Sequence, residues 1–102
     1  MSRRRIHWRP DALRDLDVIA EYISRDAPVT ARRWVNRMKR AVRRLPDSPH
    51  RVVYEPARPR EDIHELVVGN YKVVFLVTDK LIDVLMVFDG RRLPPPIPPP
   101  EP

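Results

Sequence analysis

Residues 63–92 restrict the possible folds of this 102-residue chain more than any other segment. They contain three runs rich in β-branched and aromatic residues, separated by the short turns Gly69-Asn70 and Thr78-Asp79-Lys80. A two-residue loop with glycine between apolar runs is typical of a tight hairpin. The segment therefore predicts an antiparallel meander that ends at a bend carrying the arginine pair Arg91-Arg92.

The last two strands of this meander are apolar on both faces. A layer of helices can cover only one face of a sheet, so the side chains of the other face need a second cover. On the simplest alternation these are Val74, Leu76, Leu81, Leu85 and Val87. Burying five such side chains is worth about 8–15 kcal/mol, which matches the net stability of a whole domain. We therefore expect a partner chain to cover much of this face.

Two amphipathic helices precede the meander. Apolar residues at three- and four-residue steps predict one helix that begins at Pro10 and a second that spans residues 31–45. The break at residues 26–28 is so short that the two helices are expected to pack antiparallel as a hairpin. Prolines within residues 46–49 end the second helix.

Short strands are predicted on both sides of the helical hairpin, at residues 4–8 and 52–55. The elements together predict an α+β domain over residues 1–92, with an N-terminal strand, an antiparallel helical hairpin and a three- to four-stranded antiparallel sheet. Residues 93–102 hold seven of the 13 prolines. They are predicted to form a disordered, proline-rich tail in the polyproline II conformation.

The overall charge favours an anionic partner. The chain has a net charge of +6 and a pI of about 10.5, which suits nucleic acid, an acidic protein or an anionic membrane surface. No apolar run is long enough to span a membrane, and the N-terminus lacks the apolar core of a secretory signal. Cysteine is absent, which excludes disulfides and thiolate metal sites. These features favour a cytoplasmic protein without membrane insertion.

Half of the basic residues in the N-terminal half of the chain belong to the second helix. No acidic residue occurs between Pro28 and Leu45, whereas the first helix is rich in aspartate and glutamate. The cations of the second helix are Arg32, Arg33, Arg37, Lys39, Arg40, Arg43 and Arg44. They form either a solvated face with ion pairs to the first helix or a surface for an anionic partner, and the sequence leaves both readings open.

Several kinds of chemistry lack the residues they need. With glycine only at Gly69 and Gly90, no loop can cradle a nucleotide phosphate. His7, His50 and His64 lie on separate segments without metal-ligand spacing, and no serine stands in a nucleophile motif. No cofactor, metal or catalytic nucleophile is therefore predicted. RNA cleavage remains possible, because the 2′-hydroxyl of the substrate can serve as the nucleophile.

Three motifs and the order of elements resemble the RelE/ParE superfamily of type II toxins over residues 5–92. The motifs are Tyr22-Ile23…Pro28…Ala31…Trp34-Val35, then Glu65 to Phe75, and finally Val87-Phe88-Asp89-Gly90-Arg91-Arg92. The first motif is more similar to the ParE branch than to the RelE branch.

This resemblance implies a bacterial cytoplasmic toxin that acts in growth inhibition or plasmid maintenance. A cognate antitoxin, with an acidic tail that covers apolar surface, would neutralise it in a hetero-oligomer. ParE-like toxins poison DNA gyrase and are not known as enzymes, whereas RelE-like toxins cut messenger RNA on the ribosome. The resemblance therefore favours a gyrase inhibitor. A ribosome-dependent endoribonuclease and a detoxified antitoxin-binding module are the alternatives.

The chain departs from the family pattern at three places. Relatives often have histidine where Asp89 stands, and Tyr71-Lys72 and His64-Glu65 replace Tyr-Arg and Arg-Glu. An aspartate would repel a scissile phosphate, which weakens the nuclease reading and leaves no catalytic residue predicted. The expected target- or phosphate-binding residues are Arg58, Arg60, Lys72, Arg91 and Arg92. The alternative for the last two is an exposed pair, one of them bridged to Asp89. The expected antitoxin-binding residues are the five aliphatic side chains of the second sheet face.

Overall fold

The computed structural model describes residues 3–47 and 52–99. The predicted helix-ending residues Ser48 and Pro49, the histidine His50 and the tail residues 100–102 lie outside this part. The elements are β1 (Arg5–Trp8), α1 (Pro10–Ser24), α2 (Pro28–Arg43), β2 (Val52–Val53), β3 (Ile63–Val68), β4 (Tyr71–Val77) and β5 (Leu81–Asp89). None of the described helices is both long and apolar enough to cross a bilayer.

The strands form one sheet in the order β1-β5-β4-β3-β2. The meander β3-β4-β5 is antiparallel, β2 is antiparallel to β3, and β1 lies parallel to β5. The predicted α+β class and the helical hairpin are confirmed. The predicted antiparallel sheet comprises the four strands β2–β5, and the predicted N-terminal strand β1 joins it as a fifth, parallel strand at one edge. The strand predicted at residues 52–55 is shorter than expected, since a 3₁₀ turn at Glu55–Ala57 leads the chain away.

Both helices pack on one face of the sheet. The apolar stripe of α1 buries Ala12 and Leu16, and that of α2 buries Met38 and Val42. Their partners on the sheet are Val68, Val73, Phe75, Ile82, Val84 and Val87. The side-chain alternation that was expected along β4 is therefore present, with its odd-numbered residues facing the helices.

A β-bulge between β4 and β5 changes the alternation along β5. Val74 pairs with Met86 and Phe75 pairs with Val84, so Leu85 is an extra residue on β5. Beyond this bulge the facing of the side chains is reversed, which turns Val87 toward the helices. This corrects the sequence-based assignment of Val87 to the same face as Leu85. The alternation pattern could not reveal the bulge, because β5 is apolar on both faces.

The face opposite the helices, called the second face below, is covered largely by the chain itself. Its cluster combines Val74, Leu85 and Met86 of the sheet with Tyr54 and Ala57 from the segment before β3, together with Ile63 and Phe88. Ile97 from the C-terminal segment packs against this cluster. Residues 93–99 have no regular secondary structure and lie partly along the sheet, whereas the disorder predicted for residues 93–102 as a whole stays a prediction.

A buried ion pair connects three distant parts of the chain. The Nε of Arg9, directly after β1, donates to Oδ2 of Asp83 on β5 at 2.9 Å. The two residues are only 7% and 6% exposed. Nη1 of Arg9 also donates to the carbonyl oxygen of Pro99 at 2.8 Å. Arg9 therefore links β1, β5 and the C-terminal segment.

A second polar contact fastens α1 to β5. Oδ2 of Asp15 accepts a hydrogen bond from the backbone N–H of Val87 at 2.9 Å. Burial raises the pKa of Asp15 above its ordinary value, and the bond from Val87 opposes that rise. The contact holds α1 over the part of β5 that follows the bulge.

The hairpin between β3 and β4 fixes the position of α2. Gly69 has a φ of 60°, whereas the φ of Asn70, the second residue of the loop, is not positive. A positive φ at the first loop residue alone is the pattern of a type II′ turn. A Cβ atom on Gly69 would lie 2.3 Å from Cη2 of Trp34. The Trp34 ring also meets that of Tyr71 edge to face at 5.3 Å. Glycine is thus needed for both the turn and the close approach of α2.

Replacing Gly69 with alanine should lower the free energy of unfolding by about 2–4 kcal/mol, since backbone strain and overpacking each cost about 1–3 kcal/mol. Urea unfolding of both variants measures this. Gly90→Ala is the comparison variant, because Gly90 has no positive φ and a Cβ there would come no closer than 3.1 Å to Cγ of Lys72 and 3.2 Å to the backbone oxygen of Asn70. Equal losses in the two variants would contradict the role given to Trp34.

Arg9→Met should destabilise the protein by about 3–5 kcal/mol, because it leaves the Asp83 carboxylate buried without its cation. The double variant Arg9→Met/Asp83→Leu should lose less, since no unpaired charge remains. Chemical denaturation of the wild type and the two variants tests this order. A double variant less stable than Arg9→Met would show that the pair is not the source of the effect.

Candidate functional site

Four of the five predicted target-binding cations form ion pairs within the chain. Each guanidinium or ammonium lies beside an acidic neighbour at ordinary hydrogen-bonding or ion-pair distance. The pairs are Arg58 with Glu55 at 2.7 Å, Arg60 with Asp62 at 2.7 Å, Lys72 with Glu65 at 3.1 Å and Arg91 with Asp89 at 2.8 Å. These residues therefore present much less net positive charge than the sequence suggested.

The structure does not gather the five cations into one patch. Arg60 pairs with Asp62, whose carbonyl accepts the N–H of Val77 at the end of β4. Arg91 follows Asp89, which lies opposite Tyr71 at the start of β4. The two ends of β4 are about 20 Å apart at about 3.4 Å per residue.

Lys72 lies close to the Gly90 bend, within reach of the arginine pair. A Cβ on Gly90 would lie 3.1 Å from Cγ of Lys72. Lys72, Arg91 and Arg92 therefore form one end of the molecule, and Arg58 and Arg60 belong to the segment that leads into β3.

A groove of about 470 Å³ runs between α1 and the arginine pair. Aromatic side chains line it from both sides, Tyr22 from α1 and Tyr71 from β4. Val18 and Tyr22 are 65% and 66% exposed, although such side chains are usually covered. The remaining lining residues are Ile19, Phe88, Asp89, Arg91, Arg92, Leu93 and Pro95. The groove thus combines apolar surface, two phenol groups and two guanidinium groups.

Sequence reasoning missed the contribution of α1 to this groove. Val18 and Tyr22 are four residues apart, so they share one side of α1, and they lie outside its buried stripe. An exposed aromatic residue beside an aliphatic one at this spacing was the available signal.

Asp89 and Arg91 form a closely matched pair. Nε and Nη2 of Arg91 donate to the two carboxylate oxygens of Asp89 at 3.0 and 2.8 Å, and the backbone N–H of Arg91 adds a third bond at 3.0 Å. The expected bridge from one arginine to Asp89 is confirmed. These bonds lower the pKa of Asp89 to about 2. Asp89 is therefore ionised at neutral pH and is a weak base for proton abstraction.

Arg92 differs from its neighbour. Within the described residues no carboxylate forms an ion pair with its side chain, and its backbone N–H donates to the carbonyl oxygen of Asp89 at 3.1 Å. Its guanidinium group therefore remains available to an anionic group placed in the groove.

The predicted antitoxin-binding residues separate into three environments. Val74, Leu76 and Leu85 belong to the cluster on the second face. Val87 is buried under the helices, and Leu81 lies at the start of β5 opposite Arg5. Val74 and Leu85 are 0% and 2% exposed in the free chain, so a partner can reach them only if their present cover moves. Antitoxin binding by these residues stays a prediction.

The cations of α2 are unpaired within the described residues. All seven are exposed, and none forms the ion pair with α1 that was one of the two expectations. The guanidinium group of Arg37 lies 5.0 Å from the centre of the Trp34 ring. The positive charge of the domain is therefore least compensated on α2. Over the described part of the chain, no group of three histidine, aspartate or glutamate side chains could hold a metal ion.

The titration of Asp89 should depend on Arg91. Arg91→Gln should raise the pKa of Asp89 from about 2 part of the way toward the ordinary value of 3.8, because it removes the guanidinium donors and their charge but keeps the backbone N–H of residue 91. The stabilisation from this pair is complete above the ordinary carboxyl pKa and is lost as the pH falls toward 2. A pH titration followed by NMR of the carboxyl carbon measures both values.

Arg92→Gln is the matched control for this titration, because Arg92 acts on Asp89 only through its charge and without a side-chain hydrogen bond. A larger shift in Arg92→Gln than in Arg91→Gln would contradict the assignment.

Comparison with known proteins places this architecture in a family. The family described as the ParE toxin of the type II toxin–antitoxin system parDE matches residues 6–94 of this sequence. Toxin RelE2 of Caulobacter vibrioides is 33% identical over 86 residues, which cover 84% of this chain and 94% of that protein. Putative toxin Y4kP of Sinorhizobium fredii is 49% identical over 49 residues, which cover 48% of this chain and 51% of that protein.

A solved structure has the same fold. A chain of the chromosomal ParDE toxin–antitoxin system from P. aeruginosa superimposes with a TM-score of 0.70 at 20% sequence identity, over 82% of this chain and 92% of that one. The family match includes the helical hairpin, the meander and the arginine pair after β5. The chain therefore belongs to the ParE toxin family of type II toxin–antitoxin systems, within the RelE/ParE superfamily.

Proposed function

We propose that this chain inhibits growth by binding a protein target, DNA gyrase, through the groove between α1 and the end of β5. The observation that carries the proposal is the combination in one open groove of Tyr22, Tyr71 and the unpaired Arg92. Aromatic and arginine side chains that surround apolar surface are the residue types that dominate the energy of protein interfaces. A cognate antitoxin in the cytoplasm would hold the toxin inactive.

The groove suits a protein surface better than an RNA cleavage site. None of the described residues that line it is a histidine, and Asp89 is held ionised by Arg91. Cleavage of RNA needs a base near neutral pKa and cations for the phosphate. Because Asp89 and Arg91 are paired with each other, Asp89 is not available as the base and Arg91 is not available as a cation for the phosphate.

A DNA supercoiling assay tests the target. Purified protein is titrated into gyrase and relaxed plasmid, with and without the product of the adjacent gene. Inhibition that this product relieves is the expected result. Unimpaired supercoiling by folded protein would contradict gyrase as the target, and new RNA ends in expressing cells would then favour the RelE-type activity.

Arg91→Ala/Arg92→Ala and Tyr22→Ala test the groove. Each should weaken the inhibition at least about tenfold, since truncating an interface anchor typically costs about 2 kcal/mol or more. The control Arg5→Ala/Arg14→Ala removes two exposed arginines outside the groove and should inhibit like the wild type. Full inhibition by both groove variants, with circular dichroism spectra like that of the wild type, would exclude the groove as the target surface.

A further inference from the structure

The exposed side of α2 is almost entirely cationic. The seven basic side chains Arg32, Arg33, Arg37, Lys39, Arg40, Arg43 and Arg44 are here named the α2 cationic face. The remaining exposed position between Arg32 and Arg44 is Asn36. The helix contains no acidic residue, and within the described residues no carboxylate forms an ion pair with these side chains.

The helix arranges these cations in two adjacent rows. Arg33, Arg37, Arg40 and Arg44 follow the spacing that places residues on one side of a helix. This row is about 16 Å long, at a rise of about 1.5 Å per residue. Three of its members border a recess beside Val67 and Val68 of β3. The second row, Arg32, Lys39 and Arg43, follows from the same spacing, and Arg32 borders a cleft between α1 and α2.

This arrangement opposes the stability of the isolated helix. Like charges three or four residues apart repel each other, and the pairs Arg33–Arg37, Arg40–Arg44 and Lys39–Arg43 all have such spacing. Several exposed cations elsewhere in the chain, such as Arg14 and Arg60, have acidic partners. An external polyanion would remove the repulsion along α2.

We propose that the α2 cationic face binds the phosphate backbone of double-stranded DNA. A protein partner is less well matched, because a protein interface is built around a cluster of aromatic and aliphatic anchors. The exposed positions between Arg32 and Arg44 supply none, and the adjacent recess adds one exposed aliphatic side chain, Val67. Single-stranded nucleic acid is less well matched for a related reason, since its bases stack on exposed aromatic rings. The ring of Trp34 is partly buried and is occupied by Tyr71 and Arg37.

The shape of the face favours a B-form duplex. Its two rows lie along α2 and its C-cap residue Arg44, and the major groove of B-form DNA is wide enough for an α-helix. The major groove of an RNA duplex is too narrow for one. With arginine and lysine as the contacting groups, binding would be sensitive to salt and largely independent of sequence.

Fluorescence anisotropy with the full chain and a labelled 20-base-pair duplex of mixed sequence tests the proposal. The logarithm of the affinity should fall linearly with the logarithm of the salt concentration. Arg40→Gln/Arg44→Gln should reduce the slope by roughly 2, at about 0.9 per lost phosphate contact, and weaken binding at least about tenfold at low salt.

The control is Arg5→Gln/Arg14→Gln, which removes the same net charge from β1 and α1. It should bind within about twofold of the wild type, because neither residue belongs to the α2 cationic face. Thermal unfolding followed by circular dichroism checks that both variants fold. Gyrase is absent from this assay, so its result does not depend on the target proposed above.

Three outcomes would overturn the proposal. Equal weakening by the two double variants would show a general effect of net charge. Tighter binding of a single strand, an RNA duplex or a poly-glutamate peptide than of the DNA duplex would assign the face to a different polyanion. Absence of DNA binding at low salt would show that the face is solvated.

Discussion

The rest of the structure depends on the burial of β5. All residues from Ile82 to Phe88 are buried, so this strand must be covered on both faces and flanked on both edges. The helical hairpin supplies one cover, and the segments around Tyr54 and Ile97 supply most of the other. β1 and β4 supply the flanks. The N-terminal strand, the helices and the C-terminal segment thus all pack around β5, which is the last strand in the sequence.

Several charged side chains, unlike the core residues, are paired with neighbours close in the sequence. Three arginines near the sheet pair with carboxylates only two or three residues away, in the pairs Arg58–Glu55, Arg60–Asp62 and Arg91–Asp89. Such pairs satisfy one another locally and leave little field at a distance. Within α2 itself the sequence supplies no carboxylate, so the positive charge of that helix has no such partner inside the helix. Arg9 is the exception in the interior, where its charge is matched by Asp83.

Much of this fold could be predicted from the sequence, because the periodicities of α1, α2 and β4 agree with their final environments. The facing of β5 could not be predicted. In a strand that is apolar on both sides, the pattern contains no mark of the residue at which a bulge reverses the alternation, and Leu85 and Met86 look equivalent. The length of the strand predicted at residues 52–55 was wrong for another reason. The strand ends after Val52–Val53, because a 3₁₀ turn that contains Pro56 begins at Glu55.

The functional surfaces were less predictable, because they depend on distances between segments. The sequence places Arg58, Arg60 and Arg91 in one basic class, but it does not show that β4 separates them. It also does not show that Tyr22 of α1 reaches the end of β5. The pairing of Asp89 with Arg91 was predictable, since residues two apart at a bend meet without help from the fold.

The prolines of the C-terminal segment limit the hydrogen bonds that this segment can form with a strand. A proline has no N–H group, so residues 94–96, 98 and 99 cannot donate hydrogen bonds to a neighbouring strand. Their carbonyl groups can still accept, as the bond from Arg9 to Pro99 demonstrates. The segment can therefore shield apolar surface without lengthening the sheet, and the region that shields the second face offers little template for the pairing of one molecule with another.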